Sequence, residues 1–356
     1  MSLLPQHNIP VTVLGAGAWG TALAAAASRN AQTVLWGRTA KVIEQTRAQR
    51  INERYLPGIE LPESLRYSCD LAHALAHVSQ TDSDPQSRPG LIVLATPIAG
   101  LRAICQDIAS HLHSHHARIA GLVWTCKGLD AERAQLPHEM VKEALDAAGS
   151  DLPVGALSGP SFAREVAQGL PVALTVASHS EHLCEVVTDV LHSGNVRIYR
   201  SADVLGVCIG GALKNIMAIA CGISDGLDLG NNARAALITR GLAEIARFGA
   251  ALGAHPGTFY GLTGLGDLVL TATGDLSRNR QVGLAIGRGM SASDTLALGL
   301  TAEGARCTRA VLARAQALGV SMPITQAINA VLFESMPPDQ CVARLMARDA
   351  KQEAEY

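Results

Sequence analysis

The chain has 356 residues, 48% of them hydrophobic and 17% charged, with a formal net charge of −2. That length exceeds what one hydrophobic core ordinarily serves, so two domains are expected. The near-neutral charge balance, without a long Lys/Arg run, argues against nucleic-acid and polybasic membrane partners and for small-molecule ones.

Eight cysteines stand at 69, 105, 126, 184, 208, 221, 307 and 341 with no C-x-x-C pair. This scatter suits reduced thiols rather than a disulfide framework or a zinc ribbon. Residues 1–10 lack the basic start and apolar run of a signal peptide, and the expected location is the cytoplasm. No apolar stretch is expected to span a bilayer, because the longest run, from Val204, stops at Lys214.

In chain order, the strand-forming residues Val11–Leu14 run into Gly15, Gly17 and Gly20, and an Ala-rich helix former follows from Thr21 to Ala27. Such glycines serve either a structural turn or a dinucleotide site, and their place between strand and helix favours the second. Gly15 permits the reversal, Gly17 lets backbone amides approach a pyrophosphate, and Gly20 lets the helix pack closely on its strand. The helix N-terminus then offers free N–H groups and the positive end of its dipole.

A second strand, Thr33–Trp36, leads to Gly37, Arg38 and Thr39, where an NAD-preferring site places Asp or Glu for the ribose hydroxyls. Arg38 either pairs with a 2′-phosphate, so that NADP(H) is accepted, or opens the next helix on a solvated face. Residues 40–50 read as helix, Asp70–His77 as a short helix, and the polar stretch 79–90 as a surface loop. Leu91–Ala95 is a continuous apolar strand of the kind buried in a parallel sheet. The helix over 101–112 ends in His111, His113, His115 and His116 without a carboxylate or Cys at ligand spacing, so a solvated helix end is expected and no metal site.

The next buried strand, Gly121–Thr125, carries Lys127 just past its C-terminal end, as a cationic ligand contact or a surface lysine. A helix over 134–148 and a strand at Val154–Leu157 lead to Ser158, read as the cap of a helix with Pro160 near its start. Strands at Val172–Ala177 and Val196–Tyr199 complete a β/α half.

Beyond residue 200 the pattern is helical. Asp203–Ile223 carries Gly206, Gly210, Gly211 and Gly222, which suggest the close approach of another helix or a ligand. It also carries the polar pair Lys214 and Asn215. A lysine in so apolar a segment is disfavoured unless partnered or used, and desolvation lowers its pKa towards a working value for proton transfer. A polar turn over 225–232 precedes a helix from Ala233 to Leu252, and Gly261–Leu270 reads as a tight turn presenting Asp267. Arg278 and Asn279 then supply a guanidinium fork and an amide suited to a phosphate, or a polar loop with a helix cap. Glu303–Leu318, Pro323–Phe333 and Pro337–Ala347 read as packed helices.

Taken together, GAGAWG at 15–20, WTCKGLD at 124–130, LSGPSFAREVAQGLP at 157–171, GGALKNIMAIACGISDG at 210–226, NNARAALITRGLAE at 231–244, GLTGLGDLVLTATGDLSRNR at 261–280 and MPIT at 322–325 resemble the NAD(P)-dependent glycerol-3-phosphate dehydrogenases, particularly the bacterial form. The resemblance covers nearly the whole chain. Two departures are a longer 79–90 loop and Ala18 where many members have Ser.

The resemblance implies an α/β fold: a Rossmann-like domain with a mainly parallel sheet over residues 1–200, then an all-α domain over 201–356. It implies reversible reduction of dihydroxyacetone phosphate to sn-glycerol 3-phosphate with NADP(H) or NAD(H), feeding glycerophospholipid synthesis. Lys214 matches the family's general acid/base. Lys127, Gly159, Ser161, Lys214, Asp267, Ser277, Arg278 and Asn279 match substrate contacts. Gly15, Gly17, Ala18, Trp19, Gly20, Arg38, Lys127, Ala163, Arg278, Thr301 and Glu303 match cofactor contacts. A homodimer is a further expectation. The rivals are a hydroxyacid dehydrogenase with a lysine on its central helix and a non-catalytic NADP(H) sensor.

Overall fold

A computed structural model describes residues 9–81, 88–297 and 303–347. The chain divides into two compact units. One runs to Cys126 and resumes over Pro137–Val204; the other takes Lys127–Leu136 and everything from Leu205.

In the first unit the apolar runs become strands: β1 (Val11–Leu14), β2 (Thr33–Trp36), β3 (Arg66–Ser68), β4 (Leu91–Leu94), β5 (Gly121–Trp124), β6 (Val154–Ser158), β7 (Val172–Ser178) and β8 (Val196–Ser201). Between them lie α1 (Ala18–Ala27), α2 (Ala40–Gln49), α3 (Leu71–Ala76), α4 (Leu101–Ser114), α5 (Pro137–Asp146), α6 (Ala163–Ala167) and α7 (Glu181–Leu191). The sheet order is β3-β2-β1-β4-β5-β6-β7-β8. All pairs are parallel except β6 with β7, which run antiparallel with Ser158 opposite Thr175.

Leu14 pairs in register with both Trp36 and Leu94, and Leu94 with Trp124, so these strands end level. Gly15, Gly37, Ala95 and Thr125 therefore share one sheet edge, where the order reverses at β1. In an open α/β sheet that is where ligands bind. Every residue of β1, β4 and β5 is buried, which is why their sequences are continuously apolar rather than alternating. Val11, Val13, Leu91, Val93 and Val123 belong to one core cluster with Leu23 of α1 and Leu183, Val187 and Val190 of α7. Thr12 Oγ1, on β1, donates to the Ala74 carbonyl of α3 at 2.7 Å.

β3 and α7 add to the elements expected from sequence, and one expectation fails. Ser158 caps no helix: it ends β6, and α6 starts at Ala163 after Phe162. The extended backbone of β6 carries through Ser158 because it still pairs with β7 there.

The second unit is helical: α8 (Val204–Gly226), α9 (Gly230–Leu252), α10 (Asp267–Thr273), α11 (Arg278–Gly287), α12 (Ala292–Ala297), α13 (Glu303–Ala317), α14 (Pro323–Phe333) and α15 (Pro338–Met346). The apolar run of α8 does not stop at Lys214. With 23 residues and an 18-residue window of mean hydropathy 1.8, α8 is long and apolar enough to cross a membrane, yet 94% of that window is buried within the protein, the mark of a core helix. The glycines account for its close packing. A Cβ on Gly222 would stand 2.1 Å from the Arg280 carbonyl oxygen, and one on Gly283 of α11 2.1 Å from that of Ile219. The α8 and α11 backbones thus touch, and any side chain at these positions would force them apart.

Candidate active site

The expected site residues fall into two groups, one in each unit. In the first, each motif glycine has its own reason. Gly15 has φ +128, and a Cβ there would meet the Ala95 carbonyl oxygen at 2.6 Å; on Gly20 it would meet the Gly15 carbonyl oxygen at 1.9 Å. Gly17 has an ordinary φ of −76, and an added Cβ meets no described atom within 4 Å. Neither backbone nor packing requires glycine at 17, whereas a ligand lying against the loop does. These residues fit a dinucleotide pyrophosphate.

Ala18, Trp19 and Ala163 lie together, packed against a cluster of Ala22, Leu56, Ile59 and Val166. Arg38 is exposed beyond β2, one residue after Gly37, where an added Cβ would stand 2.8 Å from that of Ala16. Gly159 follows β6 with φ +137, and Ser161 Oγ donates to its carbonyl at 3.2 Å. Among residues the sequence reading did not single out, Asn52 is fully buried, and its Nδ2 donates to the Ala16 carbonyl at 3.0 Å and to Thr21 Oγ1 at 2.9 Å.

In the second unit, Lys214 is buried in mid-α8 and Asp267 opens α10 after one wide helical turn, Leu262–Gly266. Lys214 Nζ donates to Asp267 Oδ1 at 2.6 Å and to Thr271 Oγ1 at 2.9 Å, and Lys127 Nζ donates to Asp267 Oδ2 at 2.6 Å. Thr271 Oγ1 in turn donates to the Asp267 carbonyl at 2.6 Å. An ammonium has three donors, so two are placed and one remains for a ligand. Burial lowers the Lys214 pKa to about 8, with Asp267 opposing and Lys127 assisting the shift. For Asp267 burial pushes upward, but the Lys127 and Lys214 ammoniums outweigh it and hold the carboxyl below its usual range. Thr271 was legible in principle, since it stands four residues after Asp267, one turn away on a helix.

Around this centre, Ser277 caps α11 by accepting from the Arg280 amide at 3.2 Å, and Arg278 is exposed at the first position of that helix. Buried Asn279 donates from Nδ2 to Asn215 Oδ1 at 3.0 Å and accepts at Oδ1 from the Gly304 amide at 3.1 Å, tying α8, α11 and α13 together. Glu303, first in α13, has its pKa raised by burial, opposed by Arg278, Lys127, Lys214 and Arg306. Thr301 lies outside the described residues. Away from this centre, the His111 and His115 rings stack at 4.2 Å.

Two family models match in sequence: the NAD-dependent glycerol-3-phosphate dehydrogenase N-terminus over residues 10–184 and its C-terminus over residues 203–343. The chain belongs to this family. It is 53% identical to a glycerol-3-phosphate dehydrogenase [NAD(P)+] of Ralstonia nicotianae over 97% of this chain and 99% of that one. The corresponding figures for one of Herminiimonas arsenicoxydans are 52%, 96% and 99%. A crystal structure of glycerol-3-phosphate dehydrogenase from Coxiella burnetii superposes with a TM-score of 0.85 at 38% identity, covering 96% of this chain and 99% of that one. The family's Rossmann-like sheet followed by helices is the architecture found here.

Proposed function

We propose that the protein catalyses the reversible reduction of dihydroxyacetone phosphate to sn-glycerol 3-phosphate, with NADP(H) or NAD(H) and with Lys214 as general acid/base. The observation that carries this reading is the buried Lys214 ammonium, held by Asp267 and Thr271 with one donor left over.

The bound nicotinamide supplies the hydride. As negative charge grows on the C2 oxygen, Lys214 gives that oxygen its proton, and the charge of Lys127 stabilises the transition state more than the neutral ketone. In the reverse direction neutral Lys214 accepts the hydroxyl proton. Asp267 keeps Lys214 oriented and favours its charged form. Arg278, Ser277 and Asn279, with Gly159 and Ser161, are assigned to the substrate phosphate, whose remote binding energy fixes C2 for reaction.

The first unit is assigned to the cofactor through Gly15, Gly17, Ala18, Trp19, Gly20, Arg38 and Ala163. Lys127, Arg278, Thr301 and Glu303 are assigned to further cofactor contacts. Eight free cysteines support a reducing compartment, the cytoplasm. A homodimer is the proposed assembly, supported by an apolar groove of about 690 Å³ lined by Leu237, Ile328, Val331, Val342 and Leu345; sedimentation equilibrium decides it.

The test of the reaction is loss of reduced-nicotinamide absorbance on adding dihydroxyacetone phosphate, run with NADPH and with NADH. Oxidation of either establishes the reaction, and absence of oxidation by protein that binds NADPH overturns it. A preference for NADPH that Arg38→Ser abolishes would assign Arg38 to the 2′-phosphate.

A further inference from the structure

The glycine-rich loop is held from behind by a side chain outside the motif. Residues 50–61 form a short strap: Ile51 bridges to Glu60, the Leu61 amide donates to the Arg50 carbonyl at 2.7 Å, and Arg50 pairs with Glu60 and Glu63. Leu56 and Ile59 of the strap belong to the same cluster as Ala22 of α1. The Asn52 carbonyl closes the strap's turn, accepting from the Leu56 amide at 2.7 Å, while its side chain reaches the loop. Asn52 Nδ2 donates to the Ala16 carbonyl, between the first two motif glycines, and to Thr21 Oγ1, itself buried in α1. Thr21 also ties back to the loop, its amide donating to the Gly17 carbonyl at 2.9 Å.

A trans peptide is planar, and its C=O and N–H point in opposite directions. Among the described residues no peptide bond is cis. Drawing the Ala16 carbonyl inward to Asn52 therefore turns the Gly17 N–H outward. That amide donates to no described group, and it belongs to the one motif glycine that packing leaves open. From the Asn52–Ala16 hydrogen bond and the open face at Gly17, we infer that Asn52 is a positioning residue that aims the Gly17 amide at the cofactor pyrophosphate.

The inference rests on the dehydrogenase reading of the first unit and makes a separate demand. Without the Asn52 donor the 16–17 peptide is free to rotate, and a ligand must then fix it on binding. The loss of one such hydrogen bond corresponds to a roughly fivefold to tenfold weaker cofactor.

Two variants test it. Asn52→Leu fills the space without a donor. Asn52→Asp lacks the donor when ionised and regains it when protonated, because a carboxylic acid can donate to the Ala16 carbonyl. At a pH of about 8 both are expected to raise the KM for NADPH roughly fivefold to tenfold, with kcat and the KM for dihydroxyacetone phosphate within about twofold of wild type. Lowering the pH to about 6, where a buried carboxyl begins to protonate, should return the Asp variant, and not the Leu variant, towards the wild-type KM. A wild-type KM for NADPH in a folded variant at the higher pH, or an equal rise in both KM values, overturns the inference; if one variant fails to fold, the other decides. Wild-type protein that oxidises neither cofactor overturns the dehydrogenase reading instead, and the Asn52 arms are then read from NADPH fluorescence on binding.

Discussion

Lys214 and Lys127 are joined through one carboxylate: each ammonium lies 2.6 Å from a different oxygen of Asp267. Two positive groups on one negative group leave these three residues a net charge of about +1, with Lys214 and Asp267 both buried. A surplus positive charge of this kind does little for a neutral ketone and much for the oxyanion derived from it. Burial, with the Lys127 charge assisting, explains why Lys214 titrates low although it touches a carboxylate.

Replacing Lys214 with Ala is expected to lower kcat by about 10³-fold, within the range of general-acid contributions, while NADPH affinity measured by fluorescence stays within about twofold. A variant that keeps a tenth or more of the turnover would remove Lys214 from the chemistry.

The pH dependence should have opposite signs in the two directions. Reduction needs the Lys214 ammonium, which dominates below about 8, so kcat/KM for dihydroxyacetone phosphate should fall as the pH rises through that value. Oxidation of glycerol 3-phosphate needs the neutral amine and should rise over the same interval. Parallel profiles in the two directions would contradict the assignment.

Asp267→Asn removes the charge that raises the Lys214 pKa, so the descending limb of the reduction profile should move below about 8. It also removes the carboxylate shared by the buried Lys214 and the half-buried Lys127, with an expected loss of about 3 kcal/mol in denaturant unfolding. An unmoved limb in a folded variant would mean that Asp267 acts only as a scaffold.

Gly17→Ala and Gly20→Ala should separate binding from folding. The first adds a methyl group where nothing stands within 4 Å, and should keep the melting temperature while raising the KM for NAD(P)H. The second drives a methyl group to 1.9 Å from a carbonyl oxygen, and should lower the melting temperature itself. Equal effects on both readouts would show that the loop tolerates no distinction between its glycines.

The strands that position the loop were legible because a strand buried on both faces writes itself as an unbroken apolar run, as in Leu91–Leu94. Strand direction leaves no such trace, so the antiparallel β7 was not foreseeable from Val172–Ser178. β3 is only three residues, Arg66–Ser68, with an exposed Arg, and carries too little pattern to read. The apolar periodicity of α7 at Leu183, Val186, Val187 and Val190 was present but lies in a Val-rich stretch that equally suits a strand.

In the site, Lys214 was conspicuous because a charge interrupts an apolar helix, and its neutralisation by Asp267 explains why that helix continues past it. Thr271 was obscured because Gly261–Leu270 read as a turn, whereas Asp267 opens a helix and brings the residue four places on against the same lysine. Asn52 gave no signal, since one polar residue next to Glu53 and Arg54 looks like solvent-facing chain.

The excursion of Lys127–Leu136 into the second unit bears on how the gene can be cut. A fragment beginning at Leu205 would carry Lys214, Asp267 and Thr271 but not Lys127, leaving Oδ2 of Asp267 without its ammonium. Its isolated lysine and carboxylate would form a simple neutral pair, with the excess charge gone. Dissection at the obvious helical boundary would therefore yield a piece whose proton donor titrates differently from the one in the intact chain, and only a graft carrying residues 127–136 would restore it.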